Sequence, residues 1–544
     1  MRRPAMMLCA IWLAAIPAVA QNPSPLQQRI RQITTRPVFK HSTVGVEVYD
    51  LTTHQVLVAM NADKLFTSGS TTKVVTEGTA LALLGADYRF HTRVFSTGSI
   101  TPDGTLQGDL VLVASGDPNL SGRVEDDDTL DFTSFDHSYA GVLPGKSVTG
   151  DPLQVLKELA IAVYRSGILR IRGRVLVDAS LFPSDHVEPA THTTVSPVVL
   201  NDNVIDVRAY SGAGAGDPVS IEVAPDLPYL KVINKVVTGS PESEPVLRFT
   251  SDAAEEDGSH TVVLEGTVPA GRQKAQAAYK VKDPVLYATE GFREALRWAH
   301  IDLEDPPAES ADAIPPVDLK ERNLVAEHIS PPFKEEVRLT LKVSQNLHAA
   351  TTPYLLGAIL GHSSSDAFQA GLGLEKQYLT DAGLDAESVS QLDGEGGVGS
   401  AFSPDFMVRY LAYMSRPPYG HLLFDSLPVL GRDGTLAEML PDSPAAGHVH
   451  AKTGSYVVAN PLDRGVMLLG KGLVGYVDAK NGHRLIFAAY VNLVPLHNMD
   501  EVAGVGEMLT EIAGLVYQYA PSPAPVGRKT VKPAARTKGK RRVH

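Results

Sequence analysis

The stretch Ser68-Gly69-Ser70-Thr71-Thr72-Lys73-Val74-Val75-Thr76 decides how the rest of the chain is read. Val74, Ala80, Leu81 and Leu84, closed by Gly85, predict a helix that begins near Ser70. Spacing of i to i+3 then puts Ser70 and Lys73 on one face, within reach of each other. Ser68-Gly69 lets the backbone turn sharply into that helix, leaving the Ser70 hydroxyl near its positive end. A serine hydroxyl is a poor nucleophile until a base removes its proton. Lysine serves as that base only when desolvation or neighbouring positive charge lowers its pKa. Such a short pattern arises by chance in long chains, so its meaning depends on what surrounds it.

Immediately upstream, Val44, Val46 and Val48 alternate with small or polar residues, Asp50 to Gln55 supplies a turn, and Val56 to Ala59 returns as a second strand. Far downstream, helical patterning covers Phe333 to Lys342, Ala349 to Leu360 and Phe406 to Met414. Strands follow at Gly472 to Val477 and Leu485 to Val491 around Asn481-Gly482, then an amphipathic helix at Met499 to Tyr519. Between the two halves, from about Tyr88 to Pro316, short Val/Leu/Ile runs are broken by Gly, Pro and Asp, which reads as β-rich with few long helices. The expected organisation is an α/β (α+β) catalytic domain, with an antiparallel sheet and a helical subdomain, at 21–88 and 317–520. A β-rich insertion at 89–316 interrupts it.

Two further motifs follow in order: Ser344-Gln345-Asn346, then Lys452-Thr453-Gly454-Ser455. Ser344 and Asn346 are expected on a loop or helix end across a cleft, with Ser344 a candidate proton relay and Asn346 a clamp on substrate or on Lys73. Lys452-Thr453-Gly454-Ser455 reads as an edge strand beside the nucleophile helix. Lys452 and Thr453 offer a cation and a hydroxyl to a substrate carboxylate, and Lys452 adds positive field near Lys73. Gly454 allows close approach of backbone and ligand. The N–H groups of Ser70 and Ser455 are candidates for an oxyanion hole.

In this order the three motifs match the signature of penicillin-binding proteins and related β-lactamases. The chain resembles the D-alanyl-D-alanine carboxypeptidases/endopeptidases known as class C low-molecular-mass penicillin-binding proteins. The likeness runs over roughly Thr43 to Leu493 and includes Leu83 to Phe90, Gly116 to Leu120, Asn201 to Asn203, Ser330-Pro331-Pro332, Leu427-Pro428-Val429 and Gly434-Thr435-Leu436. The resemblance implies a penicillin-binding transpeptidase-like domain carrying inserted domains. It further implies a serine acyl-enzyme formed with peptidoglycan stem peptides, β-lactams as covalent inhibitors, and no metal or organic cofactor. Two positions depart from the family. Gln345 stands where Asp is common, and Asp393-Gly394-Glu395-Gly396-Gly397-Val398-Gly399-Ser400 stands where the family usually reads Asp-Gly-Ser-Gly-Leu-Ser-Arg. Glu395 thus replaces a serine and the Arg is missing until Arg409, which leaves the accepted stem-peptide side chain open.

Two other readings share the motifs: a β-lactamase, and a catalytically silent penicillin-binding or wall-scaffold protein. Ser70 and Ser344 lie 274 residues apart, whereas class A β-lactamases have only a short segment there. All the polar motif positions are filled, which favours an active enzyme over a scaffold.

The termini have another character. Arg2-Arg3, an apolar run to Pro17 and Ala18-Val19-Ala20 predict a signal peptide at 1–20, cleaved before Gln21. The exported product is expected in the periplasm or cell envelope. The only cysteine, Cys9, falls within that leader, so disulfides, thiol nucleophiles and thiolate metal sites are not expected in the mature chain. The tail from Pro521 to His544 carries eight Lys and Arg and no acid, yet the whole chain has a formal net charge of −13. An acidic body argues against nucleic acid as a partner. The tail is either disordered or in contact with an anionic envelope surface. The acid cluster at Glu125 to Asp131 reads as a solvated loop. His448 with His450, and His186 with His192, read as surface or rim histidines rather than metal ligands, for lack of a helical i, i+4 pair.

Overall fold

The computed structural model describes residues 23–134, 136–138, 147–184, 186–189, 191–304 and 323–519. The leader at 1–20, the basic tail at 521–544 and the Pro-rich stretch around 306–316 lie outside the described residues.

The alternating valines form the strand Thr43–Asp50, which turns at Asp50, where Oδ1 accepts from the Thr52 and Thr53 N–H groups, into Gln55–Met60. The first strand also pairs antiparallel with Arg484–Leu496, Val46 opposite Ala489. Gly465–Asp478 and then Val449–Asn460 extend the sheet to five antiparallel strands, with Val449–Asn460 and Gln55–Met60 at its edges. The two ends of the chain therefore close one sheet, and everything between them has to leave and return.

Period-two alternation divides that sheet into two faces. Leu485, Phe487, Ala489 and Val491 pack with Ile30 and Ile33 of the helix Pro25–Thr34 and with Val505, Leu509 and Ile512 of the helix Met499–Tyr517. Ile486, Ala488 and Tyr490 face the opposite way, against Val74, Val75, Met407, Tyr410 and Leu411 of a helical subdomain. Burying each such aliphatic side chain contributes about 1.5–3 kcal/mol, so the nucleophile helix is held by packing on both its neighbours and the sheet. The subdomain comprises Thr72–Leu84, Phe333–Val343, Asn346–Ile359, Ala367–Asp381, Pro404–Met414 and Gly420–Ser426. Among the described residues no helix is long and apolar enough to cross a membrane.

The middle of the chain is rich in β-structure and carries two long helices. It contains a four-stranded sheet ordered Leu324–Ile329, His91–Ser96, Leu110–Val113, Val175–Asp178, a second sheet of four strands and two of three. It also contains helices of 12 and 15 residues, Gln154–Arg165 and Pro284–Trp298. Their Leu156, Leu159, Val163, Phe292 and Leu296 share a core with Val94 and Leu112. The strand 324–329 was expected on the catalytic side of a division at 316, but it pairs with His91–Ser96. The acid cluster is a largely exposed loop, with Asp128 bonded to Arg89.

Candidate active site

The nucleophile turn is short and tightly packed. Gly69–Thr71 is a single 3₁₀ turn leading into the helix Thr72–Leu84, so Ser70 precedes the α-helix by two residues. Gly69 adopts φ +49°, a conformation that favours glycine, and a β-carbon there would lie 2.6 Å from the Ser455 amide nitrogen. A β-carbon on Gly454 would lie 2.2 Å from the Ser68 carbonyl oxygen. The edge strand thus lies directly on the turn because Gly69 and Gly454 carry no side chains. Ser70 and the Ser455 N–H consequently lie close together.

Lys73 is fully buried and donates to three acceptors: Ser70 Oγ at 2.8 Å, Asn346 Oδ1 at 2.6 Å and the Glu395 carbonyl at 3.2 Å. Burial lowers its pKa to about 8, against the raising influence of Glu395, Glu188, Asp393 and Glu77. Desolvation is therefore the main reason that neutral, proton-accepting Lys73 is populated at moderate pH, a larger influence than the positive field expected of Lys452. That mutual repulsion appears on Lys452 instead, which burial and then Lys73 and Lys471 push well below the usual lysine range.

The second motif is a sharp corner between two helices. Phe333–Val343 ends at Ser344, which takes a left-handed φ of +62°, and Asn346 opens the next helix. A non-glycine residue in that region costs roughly 1–2 kcal/mol. The corner turns the two side chains apart: Ser344 Oγ accepts from Lys452 Nζ at 2.8 Å, while Asn346 reaches Lys73. Gln345 caps the second helix, its Oε1 accepting from the Leu347 N–H at 3.0 Å. That is a task a shorter Asp performs equally well, so the departure at this position leaves the corner intact.

Lys452 also donates to the Thr453 carbonyl, and Thr453 Oγ1 lies 3.1 Å from Thr435 Oγ1. Beside them, Lys471 donates to Ser455 Oγ at 2.8 Å. Lys342 anchors the Thr435 loop through Asp433 and the Leu427 carbonyl. The structure brings together all eight residues singled out from the sequence: Ser70, Lys73, Ser344, Asn346, Lys452, Thr453, Gly454 and Ser455. It adds Thr435, which lies in the quoted Gly434-Thr435-Leu436 and so was in view, and Lys471, for which the sequence held no signal.

Glu395 lies beside Lys73. Its carbonyl accepts from that lysine, and its carboxyl is 3% exposed with no hydrogen-bond partner among the described residues. Burial, with Asp393 and Glu188 nearby, pushes the carboxyl well above the usual range. Arg409 bonds Asp405 on the surface and does not replace the arginine missing from the Asp393–Ser400 segment. His450 stacks on Phe424 with ring centroids 3.8 Å apart, and His448 stacks on Tyr517. Asp136, His137 and Asp202 are the one group of potential metal ligands close enough to share an ion among the described residues. The Arg123 guanidinium bonds both carboxylates there and supplies the cation.

The chain resembles known proteins in sequence and in fold. Residues 26–510 match the D-Ala-D-Ala carboxypeptidase 3 (S13) family. The D-alanyl-D-alanine carboxypeptidase of Actinomadura sp. (strain R39) is 26% identical over 497 residues, covering 87% of this chain and 84% of that one. The D-alanyl-D-alanine carboxypeptidase DacB of Haemophilus influenzae is 22% identical over 463 residues, covering 83% and 85%. The crystal structure of penicillin binding protein 4 from H. influenzae superimposes with a TM-score of 0.66 at 20% identity, over 90% of this chain and 99% of that one. Its complex with a β-lactam has the same score. The fold is thus that of a penicillin-binding protein with an interrupted catalytic domain, and the chain belongs to the D-Ala-D-Ala carboxypeptidase 3 (S13) family of serine-type DD-peptidases.

Proposed function

We propose that this DD-peptidase acylates Ser70 with peptidoglycan stem peptides, releasing the terminal D-alanine or opening a D-Ala cross-link, and that β-lactams acylate the same oxygen. The observation that carries this reading is the pair of lysine–serine contacts, Lys73 on Ser70 and Lys452 on Ser344, each 2.8 Å long.

In the proposed reaction neutral Lys73 takes the Ser70 proton as Oγ bonds to the substrate carbonyl carbon. The Ser70 and Ser455 N–H groups stabilise the oxyanion. Lys452 and Thr453 hold the terminal carboxylate. As the C–N bond breaks, Ser344 gives its proton to the leaving amine and is reprotonated by Lys452. In hydrolysis water attacks the ester, Lys73 returns its proton to Ser70, and the proton lost by water restores Lys452 through Ser344. Export through the leader at 1–20, and a tail resting on an anionic envelope surface, would place the enzyme beside this substrate. Arg2-Arg3 with the following apolar run, and the eight tail cations, support that location.

A fluorescent penicillin should label the wild-type chain once and leave Ser70→Ala unlabelled. Incubation with defined pentapeptides and cross-linked muropeptides, followed by mass analysis, should show loss of D-alanine or cleavage of the cross-link. Labelling of Ser70→Ala, or sustained rapid turnover of a chromogenic cephalosporin, would overturn the assignment.

A further inference from the structure

The second motif is held by residues that belong to the middle of the chain. Asp202 accepts from Arg123, from His137 Nδ1 at 2.7 Å and from His348 Nε2 at 2.8 Å. His348 reaches Glu336 through its other nitrogen at 3.0 Å, and Asn119 donates to Glu336 at 2.6 Å. All these side chains are buried. Burial opposes a charge on His137 and His348, yet the facing carboxylates push both up to about 10. Glu336 and His348 sit on the two helices that meet at Ser344-Gln345-Asn346, so this ionic network fixes the corner to the insertion from both sides.

Ser138 follows His137 directly. Its hydroxyl donates to the Val343 carbonyl at 2.7 Å, at the end of the first helix, and its own carbonyl accepts from Asn346 Nδ2 at 2.8 Å. A carbonyl oxygen only accepts. The Asn346 amide nitrogen must therefore face Ser138, and its oxygen must face Lys73.

We propose that Ser138 is a positioning residue of the active site: anchored by its hydroxyl on Val343, it presents the carbonyl that orients Asn346 toward Lys73. The inserted region then completes the catalytic centre rather than merely interrupting it. The inference rests on Ser70 and Lys73 acting as nucleophile and base.

The test follows the acylation rate of the full chain by a fluorescent penicillin between pH 6 and 10, for wild type, Ser138→Ala and Ser138→Thr. Ser138→Ala should reach the same final labelling but about tenfold more slowly, since small misplacements of a reacting group are costly. Its acidic limb should also move to lower pH, because the Asn346 oxygen stabilises the ammonium form of Lys73. The other charged groups facing Lys73, namely Glu395, Glu188, Asp393, Glu77 and Lys452, are unchanged in that variant. Ser138→Thr retains the donor and should restore both rate and profile. A Ser138→Ala rate and profile equal to wild type, or a Ser138→Thr chain as slow as Ser138→Ala, would overturn the proposal alone. Unlabelled wild type would remove Ser70 as the nucleophile, and this inference with it.

Discussion

Lys452 Nζ donates to Ser344 Oγ at 2.8 Å, as Lys73 Nζ donates to Ser70 Oγ at the same distance. Like charges this close, both shut away from water, disfavour one another. Burial, with Lys73 and Lys471, accordingly holds Lys452 well below the ordinary lysine range. An arriving carboxylate reverses that balance, since an opposite charge favours the ammonium form. Binding of a D-Ala-terminated peptide to Ser70→Ala should therefore be accompanied by proton uptake. Calorimetry in two buffers of different ionisation enthalpy measures the uptake. It should vanish in the additional variant Lys452→Met, and equal uptake in both would remove Lys452 as the carboxylate's partner.

Lys73 sets the pH dependence of acylation. It acts as a base only when neutral, and its pKa is lowered to about 8, chiefly by burial. The acylation rate should consequently rise with pH through a midpoint near 8. Lys73→Ala should lose about a hundredfold to ten-thousandfold in that rate, the usual worth of a positioned general base. A flat profile from pH 6 to 9, or an unimpaired Lys73→Ala, would assign the proton transfer elsewhere.

The parts of this site that were legible in sequence are those built from local spacing. Ser70 and Lys73 are neighbours because a helical turn makes them so, and Gly85 closes that helix with φ +94°. The pairing of Lys452 with Ser344 became readable only through the order of three motifs. Ser138 left no trace, because it presents to Asn346 a backbone carbonyl, which every residue possesses, and its hydroxyl is anchored on the carbonyl of Val343, 205 residues away. The helix Pro284–Trp298 did announce itself. Asp283 caps the N–H groups of Val285 and Leu286, and Pro284 follows at the first position, but the surrounding Val-rich strands masked it. Ala367–Asp381 contains Gly371 and Gly373, poor helix formers. At Gly371 a β-carbon would lie 1.8 Å from the Pro353 carbonyl oxygen, so close packing of two helices overrides propensity there.

Gly454 tests how closely the edge strand must lie on the nucleophile turn. A methyl group in its place meets the Ser68 carbonyl oxygen at 2.2 Å and the Thr71 nitrogen at 2.9 Å, both backbone atoms that cannot swing aside. Gly454→Ala should push Ser455 away from Ser70 and spoil one oxyanion donor. The expected loss in acylation rate is about a hundredfold or more, with the fold retained in circular dichroism. Retention of the wild-type rate would place the oxyanion donor elsewhere than Ser455.

Glu77, one turn beyond Lys73 on the same helix, carries a stability cost rather than a catalytic one. Its carboxyl is fully buried, accepts from Thr352 Oγ1 at 3.0 Å and leaves Oε2 without a partner among the described residues. Burial first, then the nearby Glu336, pushes its pKa up to about 8 from 4.5. An acid whose folded pKa lies above its unfolded value holds its proton in the native state while the unfolded chain releases it. Stability therefore falls as pH rises from about 4.5 to about 8, by on the order of 3 kcal/mol at pH 7. Glu77→Gln removes that penalty and still accepts from Thr352. Its melting temperature should exceed that of wild type by several degrees at pH 7 to 8 and equal it at pH 4. An upward shift of the same size at both pH values would mean that packing, and not the buried proton, accounts for the gain.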